Sequence, residues 1–145
     1  MTDMAPAKLT VKELERLLGA EFPQMLRPQG GYRIEEVWHG GCRVRKHFDS
    51  RSLRPGGTIA GTALMTLADF SMYVAVLAAI GWVPGAVTSN LNINFLKKPA
   101  PQDLLAQARL MRLGKRLAVG EIDIRSEGED DLVAHATCTY SIPPH

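Results

Sequence analysis

Twenty consecutive residues, Gly61 to Ile80, carry a single charged side chain, Asp69, which is also the only charge between Arg54 and Lys97. A helix of that composition is apolar on nearly every side and has to be covered nearly all round. An ionised carboxylate set among apolar neighbours costs several kcal/mol unless hydrogen bonds or a counter-charge offset it. Chains that keep such a group often use it for chemistry.

The run from Thr58 to Val83 is long enough to cross a bilayer. Asp69 would then fall near the membrane centre, at a cost of roughly 3 kcal/mol on insertion scales. Thr62, Thr66 and Ser71 add polar surface, and Gly81 with Pro84 ends the run. The remaining chain alternates like sheet, so a core helix is expected rather than a span, and no membrane partner.

The chain's 145 residues suffice for one domain with a real core and no disulfide or metal. A net charge of +2 gives no reason to expect nucleic-acid binding. Cys42 and Cys138 lack C-x-x-C spacing, and His39, His47 and His135 lack metal-ligand spacing, so no metal site is expected. Buried, reduced cysteines suit a cytoplasmic protein. The N-terminus has no basic start followed by an apolar stretch, so no secretory signal is expected.

Residues 1–9 read as a loose tail before a single domain over 10–145. Thr10-Val-Lys-Glu13 has the form of a capping box, and Leu14, Leu17, Leu18 and Phe22 follow at helical spacing. Tyr32–Trp38 and Cys42–Phe48 read as strands joined at His39-Gly-Gly41. Asp49 to Gly57 reads as a loop. Beyond Pro84-Gly85, Val87, Ser89, Leu91, Ile93 and Phe95 alternate with Thr88, Asn90, Asn92 and Asn94, which places Ser89 on the core face. Two strands near Leu104–Leu113 and Arg116–Arg125 meet at Gly114-Lys115. The acidic turn Ser126–Asp131 precedes a last strand, Leu132–Ile142, with Leu132, Ala134, Ala136, Cys138 and Tyr140 on one face. The fold class is α+β: an antiparallel sheet wrapped around a long central helix, with a short N-terminal helix.

The stretch Arg54-Pro-Gly-Gly-Thr-Ile-Ala-Gly61-Thr62 ends where the long helix begins. Free N–H groups at a helix start stabilise negative charge, including the oxyanion formed when a carbonyl is attacked. Thr62 stands where a phosphate-binding P-loop needs Lys, and neither G-x-G-x-x-G nor G-x-S-x-G occurs. Asp69 lies eight residues beyond Gly61, roughly 12 Å along the axis. One reacting carbonyl cannot touch both within one chain. Either the two come from different subunits or a ligand reaches between them, and Asp69 could instead be a structural acid, paired with Arg54 or satisfied by a hydroxyl. Between Lys97 and Arg116, six cations (Lys97, Lys98, Arg109, Arg112, Lys115, Arg116) face Asp103 alone. They form either a solvated face or a phosphate-binding one.

Pro55-Gly-Gly-Thr-Ile-Ala-Gly61 with Leu67-Ala-Asp69, then Thr88-Ser-Asn-Leu-Asn-Ile-Asn-Phe-Leu-Lys-Lys-Pro99, then Leu113-Gly-Lys-Arg116, resemble the hotdog-fold acyl-CoA thioesterases of the PaaI-like (phenylacetic-acid-pathway) family. The resemblance covers Tyr32 to Ile142. It implies a hotdog fold, a homodimer or dimer of dimers, and two sites at the dimer interface. It implies hydrolysis of an aryl- or short/medium-chain acyl-CoA, with no cofactor because CoA is part of the substrate. Asp69 would activate water or attack the thioester, Gly61 N–H would hold the carbonyl oxygen, and Ser89 or Thr88 would help place the water. Arg54, Gly57, Ala60, Thr62 and Asn90 would line the substrate, with Lys115 and Arg116 near the CoA nucleotide.

Two departures stand out. Where the family commonly has Asn this chain has Arg54, and where it commonly has His-Gly-Gly this chain has Ala60-Gly61-Thr62. A non-catalytic module that binds acyl-CoA is therefore the alternative reading. Arg54 could also bind an acidic acyl group.

Overall fold

The capping box forms as its residue types dictate. The Thr10 hydroxyl accepts from the Glu13 N–H at 3.1 Å, and the Glu13 carboxylate accepts from the Thr10 N–H at 2.9 Å. Helix α1 (Val11–Glu21) then buries Leu14 and Leu18. The computed structural model describes residues 6–145, so residues 1–5 of the expected tail lie outside the described residues. Attachment to the body begins ahead of Thr10: the Lys8 N–H donates to the Ala78 carbonyl at 2.7 Å, and Ala7 and Leu9 pack against the core.

Strands β1 (Tyr32–Trp38) and β2 (Gly41–Lys46) form the expected hairpin. The stretch read as a loop holds more order than expected. Two short strands, β3 (Leu53–Arg54) and β4 (Thr58–Ile59), pair with each other. Between them the Gly57 N–H donates to the Arg54 carbonyl at 3.1 Å, with Pro55 second in the turn and Gly56 third at φ 100°. Proline at the second position and a positive-φ glycine at the third are what a type II turn requires. The turn fixes the backbone of Arg54 and delivers the chain to helix α2 (Gly61–Ile80).

Four more strands follow: β5 (Val87–Phe95), β6 (Leu104–Leu113), β7 (Leu117–Ser126) and β8 (Leu132–Ser141). The main sheet is antiparallel, in the order β1-β2-β6-β7-β8-β5. Along β7, Ala118, Gly120, Ile122, Ile124 and Ser126 are buried while the residues between them are not, the period-2 pattern of a sheet with one face on the core. That face wraps α2, which contacts all six strands. This is the hotdog arrangement.

Twelve residues of α2 are buried, so sheet rather than lipid covers its apolar surface. The covering is incomplete along one stripe, where Thr62, Met65 and Thr66 are exposed and Asp69 and Tyr73 half-buried. Steps of three or four residues place them on one helix face. At Asp69 the stripe lies against β5, because Thr88 of β5 bonds Asp69, while Thr62 and Thr66 line a hollow with Tyr32 of β1. β5 bonds β8 on one side; its other edge has no partner among the described residues. Leu67 points the opposite way and is 0 % exposed. Leu67→Ala is expected to cost about 2–5 kcal/mol, read as a lowered urea midpoint with an unchanged slope.

The cations between Lys97 and Arg116 do not face Asp103 alone. Lys97 pairs with Glu129 and Asp131, and Arg109 with Glu121. Asp103 is drawn instead to Arg45, which also bonds Glu35 and Glu127. Folding brings acids from distant strands and turns to these cations. Lys98, Arg112, Lys115 and Arg116 make no ion pair among the described residues.

Candidate active site

Asp69 sits two turns into α2, on its uncovered stripe. Both hydroxyl donors that reach its carboxylate land on Oδ1: Thr88 from β5, and Tyr140 from β8 at 2.9 Å. The Tyr140 hydroxyl is also 3.1 Å from the Asp69 carbonyl. Oδ2 has no donor among the described residues, so one oxygen is anchored and the other remains available to chemistry. Of the two expected ways of satisfying the acid, the pairing with Arg54 is not seen, since Arg54 forms no ion pair among the described residues. The hydroxyl contact is seen, made by Thr88 and Tyr140.

Tyr140 is the member that sequence reading missed. It was placed on the core face of the last strand, and it is buried there. A buried phenol needs a partner for its O–H, which is the signal that could have found it. Burial above all pushes its phenol well above the usual tyrosine range, and the charge of Asp69 adds to this while the Thr88 hydroxyl opposes it. The hydroxyl therefore stays protonated and keeps donating at any physiological pH. Its ring stacks on Tyr73 of α2, centroids 6.0 Å apart. Tyr140→Phe keeps that stacking and removes the donor. Because hydrogen bonds to charged groups contribute about 1.5–3 kcal/mol to stability, the variant is expected to lose about that much with the fold retained. The loss is read as a lowered urea midpoint alongside native near-ultraviolet circular dichroism.

The expected parity of β5 needs correction. A bulge between Thr88 and Asn90 shifts the register against β8, so that Thr88 opposes Tyr140 and Asn90 opposes Thr139. The extra residue is Ser89. Thr88, rather than Ser89, therefore faces the helix with Leu91 and Ile93. Ser89 is exposed and donates to the Thr139 carbonyl at 3.3 Å. Asn90 is exposed as well.

Gly61 opens α2. Its N-cap, Ala60, makes no side-chain capping bond, and the Gly61 and Thr62 N–H groups have no acceptor among the described residues. A Cβ on Gly61 would lie 3.3 Å from the ring of Phe95, so the glycine permits close packing there. Gly61 faces a cleft of about 510 Å³. Ile59, Leu64, Phe95 and Leu96 give it apolar walls, and Arg54, Lys97 and Lys98 stand around it. Ala60 and Thr62 line a separate hollow on the other side of the helix start, and Gly57 lies in the turn. Asp69 does not line the Gly61 cleft. One chain thus presents two half-sites, an acid and a helix start, spaced along α2 as the helical rise requires.

Lys115 and Arg116 form the exposed corner between β6 and β7. Cys42 and Cys138 are buried free thiols, and burial pushes both up to about 12, which leaves no thiolate nucleophile. No cluster of metal-ligating side chains occurs among the described residues.

Residues 56–133, more than half of the chain, match the model of the thioesterase superfamily. The chain belongs to the thioesterase superfamily. A Saccharolobus solfataricus protein provisionally named an esterase is 30% identical over 112 residues, which cover 77% of this chain and 73% of the relative. A crystal structure from Silicibacter sp. TM1040, provisionally named a thioesterase, is 39% identical with a TM-score of 0.85, covering 98% of this chain and 97% of that one. The Escherichia coli PaaI protein of the phenylacetic acid degradation operon shares the fold, with a TM-score of 0.76 at 21% identity over 92% of this chain and 91% of that one. Like its relatives in the superfamily, this chain is a thioester hydrolase, and the arrangement around Asp69 and Gly61 is where such chemistry has to be sought.

Proposed function

We propose that this thioester hydrolase cleaves an aryl- or short/medium-chain acyl-CoA at sites shared between two subunits. The observation that carries the reading is the carboxylate of Asp69, tied through one oxygen to Thr88 and Tyr140 with the other oxygen open. It stands on an uncovered stripe of an otherwise buried helix. The Gly61 N–H, uncapped at the start of the same helix, supplies the oxyanion donor. Roughly 12 Å of helix separates the two within one chain. A two-fold pairing of chains along the free edge of β5 brings Asp69 of one subunit to Gly61 of the other. The exposed side chains of Val87, Phe95, Leu96 and Met65 support that pairing.

Asp69 Oδ2 takes a proton from water as the water oxygen attacks the thioester carbonyl. Gly61 N–H stabilises the oxyanion, and its collapse expels the CoA thiolate, which takes that proton and leaves as the thiol. Alternatively, Oδ2 attacks the carbonyl itself, and collapse expels the thiolate and leaves an Asp69–acyl anhydride. Water then cleaves the anhydride, releasing the acid, regenerating Asp69 and supplying the thiol proton. Thr88, the β5 hydroxyl that reaches Asp69, holds the carboxylate and helps to place the water. Lys115 and Arg116 attract the nucleotide phosphates. CoA enters only as part of the substrate, so the scheme calls for no cofactor, and it suits a cytoplasmic setting in which free thiols persist. A panel of aryl, short and medium acyl-CoAs, followed by thiol release, tests the substrate class. Label left in Asp69 after a single turnover in ¹⁸O-water identifies the nucleophilic route, with water attacking the Asp69 carboxyl carbon of the anhydride. Saturable binding of every ester without turnover would contradict the reading.

A further inference from the structure

We propose that the cleft at Gly61 selects acyl groups that end in a carboxylate, with Arg54 as the residue that recognises it; this rests on the thioesterase reading above. The cleft is apolar along Ile59, Leu64, Phe95 and Leu96, yet three cations and no acid are among its lining residues. Lys97 is already neutralised by Glu129 and Asp131. Arg54 and Lys98 make no ion pair among the described residues. An apolar passage with unpaired cations fits a ligand with an aliphatic or aryl stem and an anionic end. Arg54 suits the terminal position: its backbone is fixed by the Pro55–Gly57 turn, and its guanidinium offers a forked pair of donors that matches a carboxylate.

A CoA ester brings anions of its own on the nucleotide, but the dimensions separate them from this cleft. The pantetheine arm sets the nearest phosphate roughly 16 Å from the thioester at the spacing of an extended chain. Arg54 lines the same cleft as Gly61, so with the carbonyl held at Gly61 an anion beside Arg54 is expected to come from the acyl group rather than from the distant nucleotide.

The test compares glutaryl with pentanoyl, which have equal carbon number, each as the CoA thioester and as the N-acetylcysteamine thioester, which lacks the nucleotide. Wild-type kcat/KM is expected to favour glutaryl by at least about tenfold on both carriers. Arg54→Gln is expected to bring the glutaryl-to-pentanoyl ratio close to one on both, with Lys98→Gln lowering it less. Arg54 is exposed, so its replacement leaves the core untouched. Hydrolysis of both acyl groups without preference would overturn the inference and leave the thioesterase reading standing. So would an Arg54→Gln loss that is equal for both CoA esters and absent from the N-acetylcysteamine esters, which would place the guanidinium on a CoA phosphate. Failure to hydrolyse any of the four esters would overturn the inference, and the thioesterase reading falls with it only if the aryl and medium-chain CoA esters of the panel are inert as well.

Discussion

Asp69→Asn is expected to lower kcat for thioester hydrolysis at least about a hundredfold, the scale of a lost general base or nucleophile. The substitution is nearly isosteric. An asparagine Oδ1 still accepts from Thr88 and Tyr140, so the anchoring survives while the open oxygen is replaced by an amide that can neither take a proton nor attack. Stability is therefore expected to stay close to wild type, and Km to change less than kcat. Thiol release under saturating ester, with urea unfolding of the same preparation, measures both. Activity within a few-fold of wild type would remove Asp69 from the reaction.

Mixing two inactive variants is expected to restore activity. Gly61→Pro removes the proposed oxyanion N–H at a helical position where proline is tolerated, and Ala60 before it already has φ −65° and ψ 145°, the extended conformation that a following proline favours. Alone, Gly61→Pro and Asp69→Asn should each be nearly inactive. In a mixed dimer, one of the two sites combines an intact Asp69 from one chain with an intact Gly61 from the other, while its twin carries both lesions. Random reassortment makes half of the dimers mixed, so about a quarter of wild-type activity should return. No recovery after demonstrated subunit exchange would place acid and donor in the same chain and contradict the shared site. Sedimentation showing monomer at assay concentrations would contradict it as well.

Period and composition were sufficient for the central helix, for the strands from β5 to β8 and for the first hairpin. Those elements announce themselves through local pattern: twenty apolar residues with one acid, alternation over nine or ten residues, and glycines at corners. Asp69 stood out for the same reason, as a single carboxylate in an apolar run. What could not be read depended on pairing across distance. Tyr140 meets Asp69 across 71 residues, and nothing local says that β8 lies between β5 and β7. The bulge at Ser89 defeats strict alternation, because one additional residue exchanges the faces of Thr88 and Ser89. The basic segment looked unopposed because Glu121, Glu129 and Asp131, which neutralise Lys97 and Arg109, arrive from later strands and turns.

The order of strands has a consequence for how the chain reaches its native state. β5 is made directly after α2 but is bonded to the rest of the sheet only through β8, residues 132–141. During synthesis an apolar helix and a strand with both edges bare must wait for some fifty further residues to leave the ribosome. Such a chain invites capture by chaperones and aggregation at high expression, and a stop codon ahead of Leu132 should yield insoluble product rather than a smaller active protein.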